Sequence, residues 1–245
     1  MKNKLVGALL VLLGVAGHAS AQVLADPVID PDFSAISVTP GTEVMAPTGT
    51  GWTFSPSPYS EDANSAPNEA GIANGTGQNM NNAPGGQAAY IQNEASISQA
   101  VTLPSSTVTL TFDLEGRTPQ MYSFQDSYTN NVETYVTTGQ DEIEITLGSV
   151  LLYEGTPTNL DNFVSITTPS ADFAAGTYQL TIRGVTSGDP SNATVATPET
   201  FDDTMTFVDD VTLNVTQTPE PSSTAMLVLG GLVLGGITLR RRFVR

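Results

Sequence analysis

Cysteine is absent from this 245-residue chain, and histidine and lysine are nearly so. The one histidine is His18 and the lysines are Lys2 and Lys4, all inside an N-terminal stretch that reads as a removable export signal. The chain beyond it has no His, Lys or Cys. These absences exclude Ser-His-Asp and Cys-His nucleophiles, Ser-Lys dyads and Schiff-base chemistry. Zinc sites built on His or Cys and a disulfide framework are excluded as well. Paired carboxylates are the one common hydrolytic route that remains, and they leave a carboxylate-dependent polysaccharide hydrolase or lyase as the alternative to a non-catalytic protein.

Basic residues are as scarce as thiols. Apart from Lys2, Lys4 and the C-terminal arginines, only Arg117 and Arg183 are present, against 24 acidic residues between Gln22 and Thr218, a net charge of −22. Nucleic acid and anionic membrane surfaces are poor partners for such a body, because phosphate contacts need Lys and Arg. Cations are its natural counterpart, Ca²⁺ in particular, whose ligands are oxygens. Solubility in a salty or crowded exterior explains the charge equally well.

Both chain ends carry targeting patterns. Lys2 and Lys4 precede the apolar stretch Leu5–Val15, and Ala19-Ser20-Ala21 supplies small residues for cleavage before Gln22. At the other end, Pro219-Glu220-Pro221 is followed by the uncharged run Thr224–Leu239 and then by Arg240, Arg241, Arg242 and Arg245. At ~1.5 Å per residue this run spans roughly 24 Å as a helix, a little short of the ~30 Å hydrocarbon core. The arginines place its end on the cytoplasmic side, with the body outside. The division expected is residues 1–21 as signal peptide, 22–216 as ectodomain and 217–245 as a sorting signal. The order of triplet, apolar helix and arginine cluster resembles the PEP-CTERM sorting signal of exopolysaccharide-producing Gram-negative bacteria. That resemblance implies an exosortase-like membrane enzyme that cuts near the triplet and releases or re-anchors the body.

Between the signals, short segments alternate apolar and polar residues. Thr107–Glu115 sets Val108, Leu110, Phe112 and Leu114 on one face, Glu142–Leu147 and Thr177–Arg183 repeat the pattern, and Thr204–Val215 is the longest. Further strands are expected at Gly51–Phe54, Gln87–Gln92, Ala95–Val101, Val132–Val136, Val150–Tyr153 and Phe163–Thr167. Pro84-Gly85-Gly86, Gly148-Ser149 and Ala175-Gly176 punctuate them. No segment here has helical period. The fold class expected is all-β: a single antiparallel β-sandwich, a jelly roll, flanked by the signal peptide and the C-terminal apolar helix. Ser55–Gly86 reads as a surface excursion and Gly116–Gly139 as a long loop between strands.

The succession Gly51-Trp52, Pro84-Gly85-Gly86-Gln87-Ala88-Ala89-Tyr90-Ile91 and Ser96-Ile97-Ser98-Gln99-Ala100-Val101, with the later Ala175–Leu180 and Phe207–Leu213, resembles galactose-binding-like jelly rolls. In place of the usual Asn-Gly-x-Phe-Glu opening stands Asp30-Pro31-Asp32-Phe33-Ser34, without the Glu that in several members helps hold a structural calcium. The resemblance implies that an Asp near Asp209 works with the first strand at such a site.

Candidate site residues follow. Asp209 occupies the apolar register of Met205, Phe207, Val211, Leu213 and Val215, where a carboxylate must be paired or metal-bound. A structural Ca²⁺ held by Asp209 or Asp210 with Asp30 or Asp32 would satisfy it, and a β-bulge that turns Asp209 to solvent is the alternative. Trp52 is the one tryptophan, either a core anchor or a platform for a sugar ring. Tyr122, Phe124, Tyr128 and Tyr135 crowd the segment that Arg117 opens, and Arg117 can fork hydrogen bonds to a sugar or carboxylate. The expected protein is exported, non-catalytic and sorted to the cell surface or matrix, and its sandwich binds exopolysaccharide or another glycan.

Overall fold

In the computed structural model of the chain, the described residues are 21–55, 69–75, 80, 83, 86–117, 121–125, 132–139, 141–185 and 200–218. The expected signal segment before Ala21, the triplet Pro219, Glu220 and Pro221, the run Thr224–Leu239, the arginines Arg240, Arg241 and Arg242, and Tyr128 lie outside them. Among the described residues no helix is long and apolar enough to cross a membrane. The chain divides into two units: one of the ends, Met1–Val23 with Thr216–Arg245, and a larger one, Leu24–Val215. In the first, β1 (Gln22–Val23) pairs antiparallel with Thr216–Gln217.

The larger unit is all-β, with two sheets whose apolar faces share one core. One sheet follows the order β12 (Val164–Thr167), β7 (Ser106–Gly116), β15 (Thr200–Gln217), β5 (Ala88–Gln92), β4 (Ala70–Asn74), β2 (Thr42–Met45). The other runs β11 (Val150–Gly155), β10 (Ile143–Leu147), β14 (Gly176–Gly184), β6 (Ser96–Leu103), β3 (Thr53–Ser55). The pairings along the second path are antiparallel, as are those given for the first. A short β13 (Ala171–Phe173) also pairs with β7, and the hairpin β8 (Met121–Gln125) and β9 (Val132–Gly139) joins β15 through a parallel contact. This architecture is consistent with the jelly roll expected.

Period-two alternation builds the core. Val108, Leu110, Phe112 and Leu114 of β7 meet Ile143, Ile145 and Leu147 of β10, Leu180 and Ile182 of β14, and Ile97, Val101 and Leu103 of β6. Each such side chain contributes about 1.5–3 kcal/mol when removed from water. With no disulfide available, this apolar layer is the main source of cohesion. Two glutamine amides pin the N-terminal segment to it: Gln99 to Ile29, and Gln87 to Phe33, Ile36 and Val38.

Three expectations are corrected. Ser55–Gly86 is not merely a surface excursion, because it supplies β4, a buried interior strand between β2 and β5. Its sequence, Ala-Gly-Ile-Ala-Asn, holds one bulky apolar residue, and small side chains fit where strands crowd. The segment Gly116–Gly139 is not one long loop: β8 and β9 form a hairpin within it, and the register sets Tyr122 opposite Tyr135. Finally, Thr204–Val215 does not keep one apolar register. Val208 and Val211 both enter the core between the sheets, so parity slips at Asp209–Asp210, where Asp210 has φ 48°. That slip is a bulge, yet Asp209 stays buried instead of turning to solvent.

Candidate functional site

The outer face of the larger sheet, turned away from the shared core, should by simple alternation be solvated and polar. It carries instead a second apolar cluster of Ala73, Ala88, Tyr90, Met205 and Phe207, with Met80 added from outside the strands. The neighbours Ile72, Ala89, Ile91 and Val208 point the other way, into the main core. Four buried polar residues share this outer side. Tyr90 alternates with Ala89 and Ile91, and Glu115 follows the inward Leu114. Arg117, one step past β7, donates its N–H to Met205 O at 3.1 Å, and Asp209 follows the inward Val208.

Registers set these residues in order. Phe207 lies opposite Tyr90, Tyr90 opposite Gly71 and Gly71 opposite Met45. Glu43, two residues before Met45, faces Ala73. Gln92 donates its N–H to Glu69 O at 2.9 Å, which sets Glu69 on the other side of Gly71. Gly71 is required for this arrangement. A Cβ there would come 2.8 Å from Tyr90 Cε1 and would press on Val44 O, so the phenol ring lies over bare backbone.

The face is strongly acidic. Burial, and then the Glu43 and Glu69 carboxylates, push the Tyr90 phenol well above its ordinary value. Burial raises the Glu43 carboxyl, and Arg117 offsets part of that rise. The Tyr90 hydroxyl is buried with no hydrogen-bond partner in the structure. Among the expected ligand contacts, Arg117 is thus placed on this face but buried at 3 % exposure rather than standing at a loop rim. Tyr122 falls in the separate β8–β9 hairpin.

Of its two readings, Trp52 takes that of a core anchor. It is 4 % exposed, its Nε1–H donates to Asp30 O at 3.0 Å, and its ring sits 5.3 Å from that of Phe33. No ring face remains for a sugar.

The aspartates expected to hold metal meet at one corner. Val211 donates its N–H to Pro31 O at 2.9 Å, which brings the Asp30–Asp32 turn to the bulge. Burial raises the Asp210 carboxyl, followed by Asp113 and Asp32, and burial also raises Asp30, opposed by the Ala35 N–H. Asp30 Oδ2 is a buried oxygen without a hydrogen bond. Asp209 Oδ1 accepts the Asp210 N–H at 2.9 Å. Among the described residues no group of three or more Asp, Glu, His or Cys side chains is gathered closely enough to hold a metal ion by itself. The oxygen donors suit Ca²⁺ in kind, and backbone oxygens or water would have to complete its shell.

Sequence reasoning missed Tyr90, Glu43, Glu69 and Glu115. The one available signal was Tyr90 standing among small residues in Gln-Ala-Ala-Tyr-Ile, since an aromatic on the side of the strand away from the core marks a face with its own packing.

No protein-family model and no curated protein matches the chain. Solved structures of similar shape include the TmCBM61 module in complex with beta-1,4-galactotriose, 13 % identical, covering 78 % of this chain and 99 % of that one, with a TM-score of 0.43. The Stig cyclase Fisc from Fischerella sp. TAU is 18 % identical, covers 82 % and 100 %, and has a TM-score of 0.45. A putative sugar binding protein from Bacteroides thetaiotaomicron is 10 % identical over 78 % and 99 %, with a TM-score of 0.40. Likeness at this level bears on neither ligand nor chemistry.

Proposed function

We propose that the chain is an exported, non-catalytic surface or matrix protein whose sandwich binds a glycan on the outer face of the larger sheet. The observation that carries the reading is the outer side of the larger sheet, where Tyr90, Met205 and Phe207 share a cluster and alternation sets Glu115, Arg117 and Asp209 on the same side, all buried behind an edge strand whose Glu43 and Met45 reach solvent. Sugars present hydroxyls and C–H faces together, and a patch of carboxylates, a guanidinium and aromatic rings answers both. Binding of the purified body to a panel of neutral polysaccharides tests the reading. Substituting Phe207 by Ala should abolish binding, and no binding across the panel would refute it. Turnover of a polysaccharide that Glu115→Gln or Asp209→Asn abolishes would instead establish the carboxylate hydrolase or lyase.

Delivery rests on the ends of the chain. Residues 1–21 direct export, and the Pro219–Pro221 triplet, apolar run and Arg240–Arg242 cluster hold the precursor in the membrane for an exosortase-like enzyme. Intact-mass analysis of protein from the native cell should find a mature form that starts near Gln22 and ends near Pro219–Pro221. A mass that includes Arg245 would mean a plain anchor. Calcium is proposed at the corner of Asp30, Asp32 and Asp210, with Asp209 behind it, as a structural ion that neutralises crowded carboxylates.

A further inference from the structure

Gln22 is the residue that follows the expected signal cut, and it begins β1. There it lies opposite Gln217, with Val23 opposite Thr216, and both β1 residues are exposed. The pairing engages the backbone and leaves the side chain in solvent. Two buried glutamines are placed differently: the Gln87 amide is spent on the backbone of Phe33, Ile36 and Val38, and that of Gln99 on Ile29. A second observation comes from lysine. Lys2 and Lys4, the only lysines, leave with residues 1–21, so the cut creates the single primary amine of the mature chain, and creates it on an exposed glutamine.

We infer that Gln22 is a modification site, where the new α-amine closes on the side-chain amide to give pyroglutamate and leaves the mature protein without a primary amine. The inference rests on the export reading, and specifically on cleavage before Gln22. The step needs no co-reactant. The α-nitrogen lone pair attacks Cδ, the N–Cδ bond forms and the Cδ–Nε2 bond breaks, and Nε2 leaves as ammonia with a proton from the α-nitrogen. An α-amine titrates at about 7.7–8.0, so a neutral, nucleophilic fraction is present near neutral pH. Exposure matters because the amide has to fold back onto its own nitrogen, which a buried and bonded glutamine does not do. The lactam keeps one N–H on the α-nitrogen and the Gln22 carbonyl, the two groups that a strand pairing uses. Its consequence is chemical inertness: a chain without amines forms no Schiff base with the reducing-end aldehydes of a polysaccharide matrix.

The test is mass analysis of the N-terminal peptide of mature protein from the native cell, with amine labelling of the intact protein by an N-hydroxysuccinimide ester of biotin. The peptide should begin at residue 22 and be lighter by one ammonia than the same peptide with free glutamine. The protein should take no biotin. Pyroglutamyl aminopeptidase should remove the blocked residue, expose the Val23 amine and restore one label per chain. The variant Gln22→Ala, made in the same cell, should take one label without that treatment, since alanine cannot cyclise. A peptide that begins with uncyclised Gln22, or a wild-type protein that takes one label as readily as Gln22→Ala, would overturn the inference while leaving the cleavage before Gln22 intact. A peptide that begins at any other residue would overturn the cleavage reading and the inference with it.

Discussion

Gln99 grips Ile29 by both of its backbone groups: its Oε1 accepts the Ile29 N–H at 2.7 Å, and its Nε2 donates to the Ile29 carbonyl at 2.9 Å. The side-chain amide acts as a one-residue strand, holding a segment 70 positions earlier in the chain. The pairing predicts that Gln99→Ala destabilises the body by about 1–3 kcal/mol, the worth of hydrogen bonds whose partners are left partly buried. At this size each kcal/mol lowers Tm by roughly 2–4 °C. Gln99→Glu should destabilise more at neutral pH, because it sets a charged oxygen against the Ile29 carbonyl. Thermal melts of both variants check the order, and a Gln99→Glu protein as stable as wild type would contradict this pairing.

As the sole tryptophan, Trp52 reports its own environment. Sealed against Phe33 and bonded to Asp30 O, it should emit as a buried indole and resist acrylamide quenching until the protein unfolds. Saturating glycan should leave its emission unchanged, whereas a stacking role would shift it. Trp52→Phe keeps the ring contact but loses the Nε1–H donor, at a cost of about 1–3 kcal/mol.

The carboxyls of Asp30, Glu43 and Asp210 all titrate above their ordinary values in the folded state, chiefly through burial. Raised carboxyls mean that the native protein binds more protons than the unfolded chain within that window. Stability therefore falls as pH rises from the ordinary carboxylate values, 3.8 for Asp and 4.5 for Glu, through the raised ones. In metal-free buffer Tm should accordingly be higher at mildly acidic pH than at pH about 7. Asp210→Asn should flatten that slope, since Asn tolerates the φ of 48° and carries no charge to repel Asp113 and Asp32. A variant with the wild-type slope would show that Asp210 is not its source.

Calcium should reverse the same repulsion. EDTA is expected to lower Tm at neutral pH and Ca²⁺ to restore it by several degrees, with Asp30→Asn or Asp210→Asn losing the response. Melts that coincide in EDTA and in millimolar Ca²⁺ would dismiss the ion.

Much of the architecture was legible because strand period is written in side-chain alternation. Thr107–Glu115 and Thr177–Arg183 announced β7 and β14 to within a residue or so, since each has one apolar and one polar face. β4 was illegible because Ala-Gly-Ile-Ala-Asn has little apolar bulk to betray a strand. The bulge at Asp209–Asp210 was legible only as an alternative, because the odd-numbered run from Met205 to Val215 looks continuous until backbone parity slips, and its burial of Asp209 was not.

By itself the sequence determined the chemistry available. A body without His, Lys or Cys, carrying 24 acids against two arginines, is confined to carboxylate, hydroxyl, amide and aromatic contacts and two guanidinium groups, whatever its shape. Only the tertiary structure decided which of these meet. It sent Trp52 into the core and brought Tyr90, Glu43 and Glu69 to one face around Gly71, because strand registers join positions that lie far apart along the chain.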